Sequence, residues 1–469
     1  MTVIDPESRS VLPDRSIHIA NGRIRAVEPA DATAAARRRI DGTGLYVVPG
    51  LIDLHVHLTQ KELRSEIDLT LALLLAHGVT GVRDMAGDCW EPAEEGALCR
   101  PDLRRVAREI EKGRRAGPRL LSLSSAIVRG AFDRDRLPAE APAYFAPADA
   151  EEGRRLARYL KRRGVSLAKV YNTIPREAYF ALAAEARELN LEVSGHLPFG
   201  VSLVEASDAG QRTIEHSHDL PIACGSYSEE YRDTMERVLA GSADPPDAMT
   251  RLRRSLEAFD EDRCRQVLAT LVANGTILVQ THGTREMDAR AGEPAYRDDP
   301  RMRYIAPALR ASWHEELDPT ADMPPELSSL FAEFYELGIR LTGTAHAAGV
   351  RVLVGTDAND TMIFPGSSLH DELARFAQAG LEPMDILRAA TTLSADYLGR
   401  SHDLGGVAPG KLADLVLLSA DPLEAIENSR RIETVVVGGR VHDRGDLDNL
   451  LATVAARVEA LEASVAPSR

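Results

Sequence analysis

The chain has no excess of basic residues. Its 469 residues include 56 Lys and Arg against 72 Asp and Glu, and the formal net charge at pH 7 is −16. Proteins that bind nucleic acid usually present a basic patch to the phosphate backbone, so this balance argues against a nucleic-acid partner. It indicates an acidic, soluble protein.

Cysteine is also scarce. The four cysteines are Cys89, Cys99, Cys224 and Cys264, and no two of them show the close spacing of a zinc ribbon or a redox motif. Because disulfides are rare in the cytoplasm, this pattern predicts reduced thiols in a cytoplasmic protein.

Long apolar runs are missing as well. The best candidate, residues 69–76, is far shorter than the about 20 residues that a membrane-spanning helix needs. The first residues lack the basic segment and apolar stretch of an export signal. We therefore expect a cytoplasmic protein that has no membrane partner.

What the chain does contain is enough apolar material for a large core. Hydrophobic residues make up 44% and charged residues 27%, which argues against general disorder. Strand and helix signals alternate along most of the length, as in an α/β protein with a parallel barrel. Such barrels often use about 250 residues or more as one unit.

The residues that carry chemistry begin in one buried strand. Residues 49–57 read PGLIDLHVH. Side chains in a strand alternate faces, so His55 and His57 point the same way while Leu54 and Val56 point into packing. Two imidazoles held on one side can bind one cation, although strand histidines can equally be surface residues or hydrogen-bonded core residues.

Four later strand-like runs carry residues that could complete such a site. One run contains a lysine, and burying its ammonium in an apolar strand is costly unless the ammonium is paired. Each of the other three runs ends in a histidine or an aspartate. The four are Lys169 in 165–171, His196 at the end of 191–196, His216 at the end of 213–216 and Asp357 at the end of 350–357.

This order of residues resembles the amidohydrolase superfamily of metal-dependent hydrolases, in the branch of imidazolonepropionase-like and Xaa-Pro dipeptidase-like enzymes. Segments 77–84 and 405–416 also match the family pattern. The resemblance implies a (β/α)8 TIM barrel with a small β-sandwich domain formed from both chain ends. It also implies the metal ligands His55, His57, Lys169, His196, His216 and Asp357.

The resemblance further implies a binuclear metal centre of two Zn²⁺, with Mn²⁺, Fe²⁺ or Co²⁺ as alternatives. Lys169 would be carboxylated and would bridge the two ions. Paired ions, typically about 3.5–4 Å apart, acidify a shared water until hydroxide forms near neutral pH. That hydroxide would be the nucleophile, and Asp357 would be the general base that passes the proton to the leaving amine.

Residues next to these positions are candidates for substrate contact. Tyr171 lies two residues beyond the strand lysine and shares its face. His218, His282 and His370 follow other strands, and each could equally be a packing or helix-capping residue. Arg83 and Asp84 end another strand, and we expect them to pair with each other as a structural ion pair rather than to bind a substrate anion.

The predicted organisation has four parts. Residues 1–48 form the first part of the β-sandwich, with a hairpin of strands 16–20 and 23–27, and 49–404 form the barrel. Residues 405–445 form the second part of the sandwich. Residues 446–469 form a terminal helix and tail that we expect to pack on the small domain or on a partner subunit.

Two long insertions, 221–262 and 283–345, follow the sixth and seventh barrel strands. Barrels build active sites from the loops at the carboxyl ends of their strands, so we expect lid and specificity elements there. We expect a small-molecule substrate, and a homo-oligomer is compatible with the chain.

Three functions are compatible with the sequence. The leading one is hydrolysis of a carbon–nitrogen bond in a dipeptide, an N-acyl amino acid or a cyclic amide. The second is hydrolysis of an ester, lactone or phosphoester, since an activated hydroxide attacks all of these. The third is a non-catalytic scaffold, which would be expected to have lost ligands.

Overall fold

The computed structural model describes residues 1–30, 36–91, 93 and 95–465. Residues 31–35 of the predicted first sandwich part and 466–469 of the predicted tail lie outside the described residues. The strands are β1 (Thr2–Asp5), β2 (Ser10–Leu12), β3 (Arg15–Ala20), β4 (Arg23–Pro29), β5 (Tyr46–Pro49), β6 (Leu51–Val56), β7 (Val79–Asp84), β8 (Arg119–Leu123), β9 (Leu167–Val170), β10 (Glu192–Gly195), β11 (Thr213–Glu215), β12 (Ile277–Gln280), β13 (Arg351–Val354), β14 (Leu415–Leu418), β15 (Ile432–Val437) and β16 (Arg440–Asp443).

Helices separate most of the central strands. They are α1 (Ile67–Ala76), α2 (Arg100–Glu111), α3 (Ala150–Arg163), α4 (Arg176–Glu188), α5 (Leu203–Asp208), α6 (Asp219–Ala223), α7 (Ser228–Leu239), α8 (Ala248–Glu257), α9 (Glu261–Asn274), α10 (Gly283–Arg290), α11 (Pro294–Arg297), α12 (Pro307–Ala321), α13 (Pro325–Ala347), α14 (Ser367–Gln378), α15 (Pro383–Ala389), α16 (Thr392–Tyr397) and α17 (Arg444–Val465). Short 3₁₀ helices lie at Lys61–Leu63, Ala131–Arg136, Ala143–Phe145, Pro300–Tyr304 and Ile426–Arg430.

The central strands form two parallel sheets of a TIM-barrel-like fold. One sheet has the order β6-β7-β8 and the other β13-β12-β11-β10-β9. The two sheets are not continuous, but parallel bridges join them at both seams, between Val56 and Ala358 and between Val128 and Val170. Because all these strands run parallel, their carboxyl ends lie at one end of the fold, where the candidate ligands were predicted.

The central strands are buried, as their apolar composition leads us to expect. All six residues of β6 are buried, as are the residues of β7, β9, β11 and β12. Parallel strands covered by helices on one face and by other strands on the other are expected to read as nearly continuous apolar runs. Polar residues inside such strands, including Lys169, are therefore held in the interior, where their partners are other buried groups of the protein.

The two chain ends meet in one sheet, as predicted. Its order is β16-β15-β14-β5-β1-β2, so strands from the first 50 residues pair with strands after residue 414. The hairpin of β3 and β4 pairs antiparallel, which confirms that prediction. Val3, Ile24 and Val47 pack with Leu415 and Val436 in a small core of this region. That the sheet and hairpin form a complete β-sandwich stays a prediction.

The terminal helix α17 contacts β15 and β16 of the sheet formed by the chain ends, as predicted, and it also packs on the barrel. Its Val454 and Val458 are buried in one cluster with Leu69 and Leu73 of α1. The α1 sequence is apolar on all sides, so it needs a cover on the side that faces away from the strands. The terminal helix provides that cover.

The cysteines are paired, and the prediction of reduced thiols is wrong. Cys89 forms a disulfide with Cys99, and Cys224 forms one with Cys264. The two cysteines are 10 residues apart in the first pair and 40 residues apart in the second, so the fold brings them together and not close spacing in the sequence. Because disulfides persist mainly in oxidising compartments, the cysteines do not indicate a cytoplasmic location.

No helix in the described part of the chain is both long enough and apolar enough to cross a bilayer.

Candidate metal centre

Three of the predicted ligands form a compact group at the carboxyl ends of β6 and β13. Asp357 Oδ1 lies 2.8 Å from His57 Nε2 and 3.3 Å from His55 Nε2. One potential ligand atom from each of these three residues lies within 4.8 Å of the others. Such a set of two imidazoles and a carboxylate is suited to a divalent metal ion.

Lys169 joins this group from β9. Its Nζ lies 3.3 Å from His55 Nε2, and the residue is 1% exposed. Burial lowers the pKa of Lys169 to about 8. A buried amine with a lowered pKa is more often neutral, and a neutral amine is the form that adds carbon dioxide.

His196 and His216 continue the group on the side of β10 and β11. Their Nε2 atoms lie 2.9 Å apart. His216 Nδ1 is 2.7 Å from the Thr281 hydroxyl and 3.6 Å from Asp357 Oδ2. All six predicted ligands are therefore brought together, each within 3.6 Å of another member.

Two of these residues adopt an uncommon backbone conformation. His216 has φ of 72° and Asp357 has φ of 70°. Residues other than glycine rarely adopt this left-handed region, and those that do cluster at functional sites. His216 follows β11 directly, and Asp357 lies shortly after β13. At both positions the chain turns, and the two side chains meet at the barrel mouth.

The sequence reasoning missed Glu215. Its Oε2 lies 2.8 Å from His55 Nδ1, and both residues are fully buried. Arg83 Nη2 donates to both carboxylate oxygens of Glu215 at 2.8 and 2.9 Å. The expected Arg83–Asp84 pair is wrong, because Arg83 reaches across the barrel interior while Asp84 Oδ1 accepts from a backbone amide. The missed signal was an acidic residue directly before a candidate ligand in a buried strand.

Burial keeps most of the imidazoles neutral. It lowers the pKa of His55 to about 4, with a further contribution from Lys169, and it places the pKa of His196 and His216 well below the ordinary value. Although burial raises the pKa of Asp357, the neighbouring His55 and His57 hold it well below 3.8. His57 is the exception, because Asp357 raises its pKa although burial lowers it. The other three imidazoles are neutral and Asp357 is ionised, which are the protonation states that bind metal.

These observations fit a bound cation. Among the described residues, Asp357 Oδ1 has no hydrogen bond of ordinary geometry, although His57 Nε2 and His55 Nε2 lie only 2.8 and 3.3 Å from it. The Nε2 atoms of His196 and His216 face each other at 2.9 Å, so at most one of these two nitrogens carries a proton. Buried polar groups without partners usually have an explanation such as an ion.

Two of the four predicted substrate contacts lie beside this group. The Tyr171 ring centroid is 4.4 Å from that of His196, and the His218 ring stacks on His216 at 5.8 Å. Both residues line a cavity of about 370 Å³. The two insertions contribute to this cavity, with Tyr231 and Arg251 from the first and Arg285 from the second.

The other two candidates lie elsewhere. His282 is fully buried with Nδ1 at 2.9 Å from Glu372 and Nε2 at 2.9 Å from the Thr342 hydroxyl. His370 is 1% exposed, with its ring nitrogens 2.9 Å from the Ser429 hydroxyl and from the carbonyl oxygen of residue 77. Both histidines use their two nitrogens within the protein, so the structure does not present either one to a substrate.

Parts of the chain are similar to a known protein family and to known enzymes. The family described as "Amidohydrolase family" matches residues 338–442. Imidazolonepropionase of Shouchella clausii (strain KSM-K16) is 25% identical over 289 residues, which cover 55% of this chain and 64% of that enzyme. Together, the matches support an amidohydrolase superfamily member.

Solved structures of similar fold match nearly the whole chain. The bottromycin amidohydrolase has a TM-score of 0.69 and 22% identity, with 97% of this chain and 89% of that chain covered. A Xaa-Pro dipeptidase with bound methionine has a TM-score of 0.63 and 18% identity, with 94% and 98% covered. At these identities the likeness shows the fold alone.

Proposed function

We propose that this chain is a metal-dependent hydrolase that cleaves a carbon–nitrogen bond, in an amide, a peptide or a cyclic amide, of a small molecule. The observation that carries the proposal is the convergence of six side chains from separate strands, each within 3.6 Å of another. The similarity to an imidazolonepropionase supports it, although the aligned part spans only 64% of that enzyme.

The residues present would hold two ions, with Zn²⁺ favoured by the imidazole-rich donor set. His55, His57 and Asp357 would hold one, and His196 and His216 the other, with carboxylated Lys169 between them. When bound, the ions would polarise a substrate carbonyl and lower the pKa of a water toward neutrality.

The chain's own groups have distinct tasks in this proposal. Asp357 has an ionised carboxylate at the centre of the group, so it is placed to accept the proton of the attacking water and to return it to the leaving amine. Glu215 fixes His55 through its Nδ1, and Arg83 holds Glu215 in turn. Tyr171 and His218 would contact the substrate from the cavity wall.

The experiment is a screen of the zinc-loaded protein against dipeptides, N-acyl amino acids and cyclic amides, with esters, lactones and phosphoesters in parallel. Turnover of at least one carbon–nitrogen substrate that is abolished by a chelator and restored by Zn²⁺ supports the proposal. Turnover confined to the esters, lactones or phosphoesters favours the second function, and no metal-dependent turnover of any compound contradicts both.

A further inference from the structure

Arg83 places a positive charge inside the barrel. It lies on β7 and is fully buried. The five N–H donors of its guanidinium all have acceptors, which are the carbonyl oxygen of Leu54, the hydroxyls of Thr213 and Tyr397, and both carboxylate oxygens of Glu215. Because a buried charge is costly unless it is paired and hydrogen-bonded, these acceptors fix the position of the guanidinium.

On the side of the metal centre, Arg83 holds Glu215. Its Nη2 lies 2.9 and 2.8 Å from the two carboxylate oxygens, and the Thr213 hydroxyl donates to the same carboxylate. Glu215 Oε2 in turn lies 2.8 Å from Nδ1 of the predicted ligand His55. The position of the guanidinium is thereby coupled to the position of a ligand.

On the opposite side, Arg83 is held by Tyr397 of α16. Arg83 Nη1 donates to the Tyr397 hydroxyl at 2.8 Å, and that hydroxyl donates to Glu192 Oε1 at 2.5 Å. The Ser194 hydroxyl donates to the same oxygen of Glu192 at 2.7 Å. Tyr397 thus connects Arg83 to a second carboxylate.

This chain of hydrogen bonds runs along the inside of the barrel. Glu192 is the first residue of β10 and Glu215 is the last residue of β11, and the two strands pair in parallel. The chain therefore extends from the amino ends of the strands, where Glu192 and Tyr397 are half-buried, to the metal centre at the carboxyl ends.

We propose that Tyr397 and Glu192 are positioning residues of the metal centre. They act on its ligand His55 through Arg83 and Glu215. The inference rests on the proposed function, because it takes the site to bind metal. Without the Tyr397 hydroxyl, one donor of Arg83 loses its acceptor and the guanidinium is free to shift. The carboxylate then holds the His55 ring less firmly, and a ligand that is less firmly held binds metal more weakly.

A second group of the same residue types offers a matched control. Arg375 donates to the Tyr335 hydroxyl at 3.1 Å and to Glu372 Oε1 at 2.8 Å. Glu372 Oε2 lies 2.9 Å from His282 Nδ1, and His282 Nε2 lies 2.9 Å from the Thr342 hydroxyl. Tyr335→Phe therefore removes the same kind of contact behind a histidine that does not face the metal centre.

The test measures metal affinity, so it does not depend on turnover. The full-length wild type, Tyr397→Phe and Tyr335→Phe are loaded with Zn²⁺ and titrated with a chromogenic chelator, and the melting temperature of each is recorded. Two further variants change the far end of the chain of hydrogen bonds. Glu192→Leu removes the acceptor of the Tyr397 hydroxyl, whereas Glu192→Gln keeps an oxygen that can accept from it.

We expect Tyr397→Phe and Glu192→Leu to bind Zn²⁺ about three- to tenfold more weakly than the wild type, since the net contribution of one hydrogen bond corresponds to a factor in this range. Tyr335→Phe and Glu192→Gln should have the wild-type affinity. Both tyrosine variants should melt at a lower temperature than the wild type, because each removes a hydrogen bond of a buried arginine. A purely structural role would therefore change the melting temperature and not the affinity.

Wild-type Zn²⁺ affinity in Tyr397→Phe would overturn the inference and leave the proposed function intact. An equal loss of affinity in Tyr335→Phe would do the same, since it would show that the effect is not specific to the chain that reaches His55. A wild type that holds no Zn²⁺ would contradict the inference and the proposed function together.

Discussion

Glu215 Oε2 lies 2.8 Å from His55 Nδ1, and this contact fixes which nitrogen of His55 faces the metal centre. With Nδ1 donating its proton to the carboxylate, Nε2 presents its lone pair toward Asp357 and Lys169. Metal-bound histidines commonly have such a carboxylate behind them, which sets the tautomer and the ring orientation. Glu215 is thus a positioning residue.

The first prediction concerns this contact. Glu215→Gln should weaken metal binding by about 10- to 100-fold, because the neutral amide supports the His55 tautomer less well than a carboxylate does. Competition with a chromogenic chelator measures the affinity. Glu188→Gln, an exposed change at the end of α4, is the control and should have the wild-type affinity. Equal affinity in both variants would rule out the positioning role.

A second prediction follows from the charge of Glu215. Burial alone would raise its pKa, but Arg83 and His55 lower it from 4.5 to about 2. A carboxyl whose pKa is lower in the folded state stabilises the fold above the unfolded-state pKa and loses that effect as the pH falls. The wild type should therefore lose about 3 kcal/mol between pH 4.5 and pH 2 through this group.

Urea unfolding of the metal-free protein across this pH range checks that value. The difference in unfolding free energy between the wild type and Glu215→Gln should shrink as the pH falls from 4.5 to 2. A difference that is constant with pH would mean that the carboxylate charge has no part in stability.

The third prediction separates metal binding from proton transfer. Asp357→Asn should keep at least one metal ion per chain, because its amide oxygen and the histidines remain as ligands. Turnover should fall by about 10²- to 10⁴-fold, since an amide cannot accept the proton of the attacking water. Metal analysis and kinetics on one preparation test both statements. Near-wild-type turnover would remove Asp357 from the proposed role.

The fourth prediction concerns the disulfides. Peptide mapping without reductant should find Cys89 joined to Cys99 and Cys224 joined to Cys264. Replacing Cys224 and Cys264 together by serine should lower the unfolding free energy by about 2–4 kcal/mol, because the bond closes a loop of 40 residues. Four free thiols in the isolated, unreduced protein would contradict the pairing.

The sequence allowed much of the barrel to be predicted because strand ends are marked by a change from apolar to ligand-type residues. The convergence of His55, His57, Lys169, His196, His216 and Asp357 followed from the rule that parallel strands share one carboxyl edge. The disulfides could not be predicted, because their pairing depends on how α6 and α9 pack and on the loop that precedes α2.

The pairing of buried side chains could not be predicted from the sequence either. Arg83 and Asp84 are neighbours in β7 and point to opposite faces, so adjacency in the sequence suggested a pair that the barrel forbids. His282 follows β12 as a ligand would, whereas His370 lies on α14, and both have partners for their two ring nitrogens inside the protein. Only the packed structure distinguishes a strand-end histidine that faces the barrel mouth from one that faces a helix.

The central claim is that six side chains hold a pair of metal ions, and metal analysis of the purified chain tests it most directly. Elemental analysis after dialysis against a metal-free buffer should find about two divalent ions per chain in the wild type. Lys169→Ala should hold clearly fewer, and Lys161→Ala, an exposed change in α3, should match the wild type. A wild-type chain without tightly held metal would contradict the claim.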